Sequence, residues 1–507
     1  MKKVLLFILC LLLVSLTACK QKESISAEML ILKSENSYYY YNFNSPPKLI
    51  SDQHEITNFR LGADKKTLFF DIDNSLYYVD TSASKVKVNV IGECDYDYYT
   101  NEKSYTLSEN GRYLTYSLYN ALTQYDFKKN TKRIIASHVI NFATTVDGQK
   151  FAYLKADGGL YFKNSLKAQP ELLEENVNRY MVSEDLNAFL IFCKNDSFNT
   201  SYSLVYFEKG GVKTKVCDNI YNIYINGDEF CLNNFLFTDG NHVLKAFSNG
   251  KVKEIGRECS VLCYYQSKCY YKDYNKNQLY YFDGNNKHFV DDDITSLELY
   301  QSFMNDDVSS IVYKTSNGIF LTKSKKVYEF DETVDKDSII YTANGKYIYY
   351  IARESVDNSK VIKRKVGQGS TILAEGDNYN SLSLFDTDYF YHSLKGLYKN
   401  KELVDEELKV NDYRVIMKYK KDYIYVRSTA IYILIKNNSP QNLADTTEFK
   451  IAGNKLVVFP KKQDHKYDAY YYNGKELIEI AKDIDAYYTV YKQKNYKYDY
   501  IKYVNNF

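Results

Sequence analysis

Residues 139–173 read VINFATTVDGQKFAYLKADGGLYFKNSLKAQPELL. Short extended runs at Val139–Thr144, Lys150–Lys155, Leu160–Lys163 and Glu171–Leu173 are separated by Asp147-Gly148, Asp157-Gly158 and a polar stretch. Asp-Gly favours a tight hairpin whose two central residues both need positive φ. Four antiparallel strands in under about 40 residues have the size of one β-propeller blade.

The same signal recurs along the chain. Six Asn-Gly and four Asp-Gly pairs take ten of the 21 glycines, most of them between alternating aromatic and aliphatic residues. Turns between first and second strands are expected near Asp64, Asn110, Asp147, Asp185, Gly227, Gln266, Asp306, Asn344, Asp386, Lys420, Gly453 and Asn495. Their mean spacing is about 39 residues, close to the period of a four-stranded blade. Composition agrees with this period. With 55 Tyr, 27 Phe and only five Pro, the chain favours strands, and no long helical periodicity is present.

LSENGRYLTYS (107–117), TVDGQKFAYLK (145–155) and TANGKYIYYIA (342–352) resemble the core of TolB-like propeller repeats. SLYYVDTSASKVKVNVI (75–91) and QLYYFDGNNKHFV (278–290) are similar to the third and fourth strands of such blades. The resemblance supports an all-β propeller fold, and the repeat period gives about 12 four-stranded blades, more than the four to eight of one ring, so tandem β-propellers are expected. Residues 37–51 read as third and fourth strands without a first, and 486–504 as first and second strands. The termini are therefore expected to share a blade, which hides edge strands. Two propellers are expected, at 28–257 and 258–507; an open solenoid is the structural alternative.

The first residues carry an address. Lys2 and Lys3 precede a 13-residue run, Val4–Leu16, that is apolar except for Ser15. It is too short for a span, which needs about 20 residues, so 1–18 reads as a signal peptide. Leu16-Thr17-Ala18-Cys19 resembles the lipobox of bacterial lipoproteins, which implies cleavage before Cys19 and acylation of its thiol. Polar residues 19–27 then form a lipidated tether, and the expected location is the extracytoplasmic face of the cell membrane.

Charge and motifs exclude several functions. The 66 basic and 64 acidic residues balance once Lys2 and Lys3 are removed, so no nucleic-acid partner is expected. The Tyr- and Lys-rich tail at 488–503 reads as a strand pattern and not as a nucleic-acid surface. Without Trp, Trp-bearing blade motifs are impossible. Neither a G-x-S-x-G elbow nor a phosphate-binding G-x-x-x-x-G-K-[ST] loop occurs.

Candidate metal ligands are scattered. His54, His138, His242, His288, His392 and His465 offer no local pair. Asp71 and Asp73, or Asp291, Asp292 and Asp293, supply carboxylates but lack calcium-loop spacing. Cys259, Cys263 and Cys269 lack paired zinc knuckles and read as core cysteines or one disulfide. Beyond Cys10 and Cys19, the remaining cysteines are Cys94, Cys193, Cys217 and Cys231.

No cofactor, metal site or catalytic residue is therefore expected. The chain is expected to be a binding or scaffold module for a protein, peptide or glycan, and not an enzyme. The competing reading is a cell-surface glycosidase or lyase, which needs two converging carboxylates. A purely structural envelope component is the third.

Overall fold

A computed structural model describes residues 29–490 apart from 95–103, 196–201, 226–231, 303–309, 409–412, 435–439 and single or paired positions in other loops. Cys19, the signal and tether segments, the Asn495 landmark and most of the Tyr/Lys tail lie outside the described residues.

The described chain is all-β. Its strands form twelve four-stranded antiparallel propeller blades, and the one helical element is a 3-10 turn at Lys336–Ser338. In blade 4 the strands are Val139–Thr144, Phe151–Lys155, Leu160–Lys163 and Glu171–Glu174, close to the runs read from sequence. The described landmarks Asp64, Asn110, Asp147, Asp185 and Lys420 each fall between the first and second strands of a blade, whereas Gly227, Gln266, Asp306, Asn344, Asp386 and Gly453 lie outside the described residues.

Second strands are buried on both faces, which explains their unbroken apolar runs. In Met29–Ser34, Leu30 and Leu32 join a core with residues 449–484 (blade 12), while Met29 and Ile31 join one with residues 57–93 (blade 2). In blade 4, Phe151 and Tyr153 pack towards blade 3 (105–136), whereas Ala152 and Leu154 pack towards blade 5 (177–217).

Two compact units are present, one of residues up to Gly92 and from Glu448, the other of Glu93–Thr447. The first holds blades 12, 1 and 2; the second holds the nine blades between them. Within the second unit, the blades on either side of the boundary expected at 257/258 share a core of Leu236, Leu244, Ile255, Cys269 and Tyr271.

The turns follow a recurring side-chain plan. Thr145 Oγ1 donates to Asp147 Oδ1 at 2.5 Å and accepts from the Lys150 N–H at 3.1 Å. Ser108 with Asn110 and Ser183 with Asp185 repeat it, accepting from Tyr113 and Ala188. Thr342 accepts from the Tyr347 N–H in the same way. A hydroxyl followed two residues later by Asp or Asn thus closes the hairpin.

Two expectations are corrected. Only Gly148 (φ 70°) and Gly158 (φ 86°) are left-handed, and Asp147 and Asp157 are not. These carboxylates instead accept the N–H groups of Gln149 and Gly159. Blade 1 takes three strands from the N-terminal side, Met29–Ser34, Ser37–Tyr41 and Lys48–Ser51, and one described strand, Ala486–Val490, from the C-terminal side. The expected N-terminal share began only at residue 37 because MLIL lacks a period-2 pattern, and it lacks one because both its faces are covered.

Candidate functional site

The candidate site is an open cleft of about 670 Å³ within the first unit. Four turns build it: Asn42–Ser45 and Lys48 from blade 1, Lys65 and Lys66 then Thr81 and Ser82 from blade 2, and Lys455 from blade 12. In a four-stranded antiparallel sheet the first and third turns lie at the same end. These are all first or third turns, so the lysines share one rim of this unit.

Several bonds fix the walls. Thr81 N–H and Oγ1 both donate to the Lys66 carbonyl at 2.8 Å, tying two turns of blade 2 together. Lys48 Nζ donates to the Ala83 carbonyl at 2.9 Å and lies 5.9 Å from the Tyr40 ring centre, linking blade 1 to blade 2. Lys455 Nζ stands 5.6 Å from the Tyr471 ring. Phe43 adopts φ 65° and sets its ring edge-on to Tyr41 at 4.8 Å. A left-handed bulky residue is strained, and such strain concentrates at sites of function.

Among the described residues, no carboxylate lines the cleft. Nearby Asp64 accepts from the N–H groups of Lys66 and Thr67 and from the Thr67 hydroxyl. Asp80 likewise accepts from Ser82 N–H and Oγ. Both acids serve their own turns, and the open space is left cationic, with amide and hydroxyl groups beside the ammonium groups. That arrangement attracts an anion and lacks a pair of carboxylates for glycoside hydrolysis.

The residues singled out in the sequence lie elsewhere and are not brought together. Asp71 accepts from Asn58 Nδ2 at 2.9 Å, Asp291 accepts from Tyr313 OH at 2.5 Å, and Asp293 lies outside the described residues. No group of three metal-ligating side chains gathers among the described residues.

Cys193, Cys217, Cys259, Cys263 and Cys269 are free thiols, Cys94 is buried, and Cys231 is outside the described residues. Burial pushes the Cys193 thiol up to about 11 and those of Cys259 and Cys263 up to about 12, which disfavours the reactive thiolate. His288 Nε2 pairs with Asp283 Oδ2 at 2.8 Å. Burial opposes ionisation of Asp283, but His288 and the N–H groups of Asn286 and Asn285 outweigh it and hold the carboxyl at about 2. His392 is buried, its Nδ1 at 2.8 Å from Ser381 Oγ, and burial lowers its pKa to about 4.

Sequence reasoning missed Lys48, Lys65, Lys66 and Lys455. The available signal was a lysine in successive first or third turns, but Lys455 stands almost 400 residues from the other three and joins them only through the closing blade.

No family model matches the chain, and neither does any curated protein. Among solved structures, a eukaryotic initiation factor aligns with TM-score 0.33 and 12% identity, covering 82% of this chain and 95% of that one. TolB from Acinetobacter baumannii aligns with TM-score 0.26 and 14% identity over 48% of this chain and 68% of its own. The extracellular domain of a putative one-component system from B. thetaiotaomicron gives TM-score 0.24 and 10% identity over 92% of this chain and 75% of its own.

Proposed function

We propose that the protein is a lipoprotein, acylated on Cys19 after removal of residues 1–18 and held at the extracytoplasmic face of the membrane by the 19–27 tether. On this reading the blades form a binding and scaffold module for a protein, peptide or glycan and not an enzyme. The observation that carries the binding function is the cleft of the first unit, where, among the described residues, four lysines and no carboxylate line the space. Its walls are turns on short strands, which keep their place while loop residues vary. Two acyl chains at about 0.8 kcal/mol per buried methylene suffice for stable anchoring.

Cys19→Ser is the test of the address. The variant should move from the membrane fraction to the soluble one, and retention in the membrane would overturn the anchor. Affinity capture with the detergent-solubilised full chain should recover a discrete, saturable partner, and recovery of none would remove the binding function.

A further inference from the structure

We propose that the lysine-lined cleft binds a phosphate-bearing ligand, a polyol phosphate or phosphosugar unit; this names the ligand class of the proposed binding module and rests on that reading.

Charge gives the first step. Lys48, Lys65, Lys66 and Lys455 surround the space, and the two adjacent acids, Asp64 and Asp80, are committed to N–H and hydroxyl groups of their own turns. Among the described residues no carboxylate pairs with Lys48, Lys66 or Lys455. An ammonium has three donors. Lys48 spends one on the Ala83 carbonyl and keeps two for a ligand, with its position already fixed.

The kind of cation narrows the anion. Arginine presents a planar fork suited to carboxylates and phosphates alike, whereas lysine acts as a compact point charge. Among the described residues no arginine lines this cleft. Several separate lysines lining one volume suit a tetrahedral anion whose oxygens point in different directions, more than a flat carboxylate.

The remaining lining describes the rest of the ligand. Asn42, Asn44, Ser45 and Ser82 offer amides and hydroxyls, which match the hydroxyls of a polyol or sugar. Phe43, held left-handed beside them, supplies an apolar ring face for the ligand's carbon skeleton. A space of about 670 Å³ accommodates several such units, as small-molecule sites span roughly 300–1,000 Å³.

The experiment is calorimetric titration of the detergent-solubilised full chain, in phosphate-free buffer, with glycerol 3-phosphate and with galacturonate. Glycerol 3-phosphate should bind, and galacturonate should bind at least about tenfold more weakly. The triple variant Lys48→Ala, Lys66→Ala, Lys455→Ala should lose at least about tenfold in affinity for glycerol 3-phosphate with an unchanged circular dichroism spectrum. Should the triple variant not fold, Lys66→Gln at an exposed turn position carries the same test with a smaller loss. Equal binding of galacturonate, or wild-type affinity in these variants, overturns the proposal.

Co-sedimentation of the Cys19→Ser full chain with phosphatidylglycerol or phosphatidylcholine vesicles separates the sources. Lysine-dependent binding to phosphatidylglycerol identifies a lipid phosphate, and binding of glycerol 3-phosphate alone identifies a soluble or polymeric one. A partner captured equally well by wild type and triple variant would leave the binding module standing while removing this site.

Discussion

Gly396 sits at φ 138°, and a Cβ there would run into the carbonyl oxygen of Asp405 on the neighbouring strand. Gly250, at φ 80°, has no heavy atom within 4 Å of the same position. Gly250→Ala should therefore cost only backbone strain, about 1 kcal/mol, and Gly396→Ala about 3 kcal/mol or more. Urea unfolding of the two variants checks the order, and equal costs would contradict the tight contact. His392 carries a pH dependence. Burial lowers its pKa from 6.5 to about 4, opposed in part by Asp405. The folded protein thus favours the neutral ring, and the unfolded chain takes up a proton first as pH falls. This contribution to stability is complete above pH 6.5 and is lost as pH falls towards 4, amounting to roughly 3 kcal/mol. His392→Gln lacks it, so the stability gap between wild type and variant should narrow from pH 7 to pH 4.5. The sequence offered no reason to separate His392 from the other five histidines, because burial on a second strand is a tertiary property.

The blades are bent by bulges that the hairpin pattern does not announce. In blade 4, Leu160 opposes Glu174 and Tyr161 opposes Leu172, so Leu173 is an extra residue on the outer strand. Ile135, Val216, Ile255, Val290 and Val404 take the same place in their blades. Each is buried and joins the core shared with an adjacent blade. A bulge twists and bends the strand that carries it, and in these six blades it turns one apolar side chain of the outer strand inwards. Leu173 is 4% exposed and its neighbour Leu172 is 45% exposed. Leu173→Ala should therefore cost about 2–4 kcal/mol, and Leu172→Ala no more than about 0.5 kcal/mol. Similar losses in thermal unfolding would argue against the bulged register. Strand runs and hairpin landmarks were legible because Asp-Gly, Asn-Gly and period-2 alternation are local signals. Bulges break that period by one residue and leave only adjacent apolar pairs, Leu172-Leu173 or Ile134-Ile135, as their trace.

At the scale of the molecule, the seam in blade 1 decides what the first unit can do. Ala486–Val490 pairs antiparallel with Met29–Ser34, and Met29 and Val490 meet in one core with residues of blade 2. Without that pairing Lys455 would not stand on the rim with Lys48 and Lys66, which is why the cleft was invisible in a linear reading while the sharing of a blade was not. The seam can be trapped covalently. Lys33 and Ala486 are cross-strand partners. Directly opposed Cβ atoms lie about 4.5–5.5 Å apart, and a disulfide needs about 3.5–4.5 Å, so a small adjustment lets cysteines at these positions join. The double variant Lys33→Cys, Ala486→Cys should bridge on mild oxidation. Limited proteolysis near mid-chain would then leave N- and C-terminal fragments linked on a non-reducing gel and separated after reduction. Replacing Ala486→Cys by Glu479→Cys, on the fourth strand of blade 12, should abolish the link because its cross-strand partner is Tyr470. Linkage in the control, or none in the folded double variant, would place the C-terminal strand elsewhere and dissolve the cleft with it.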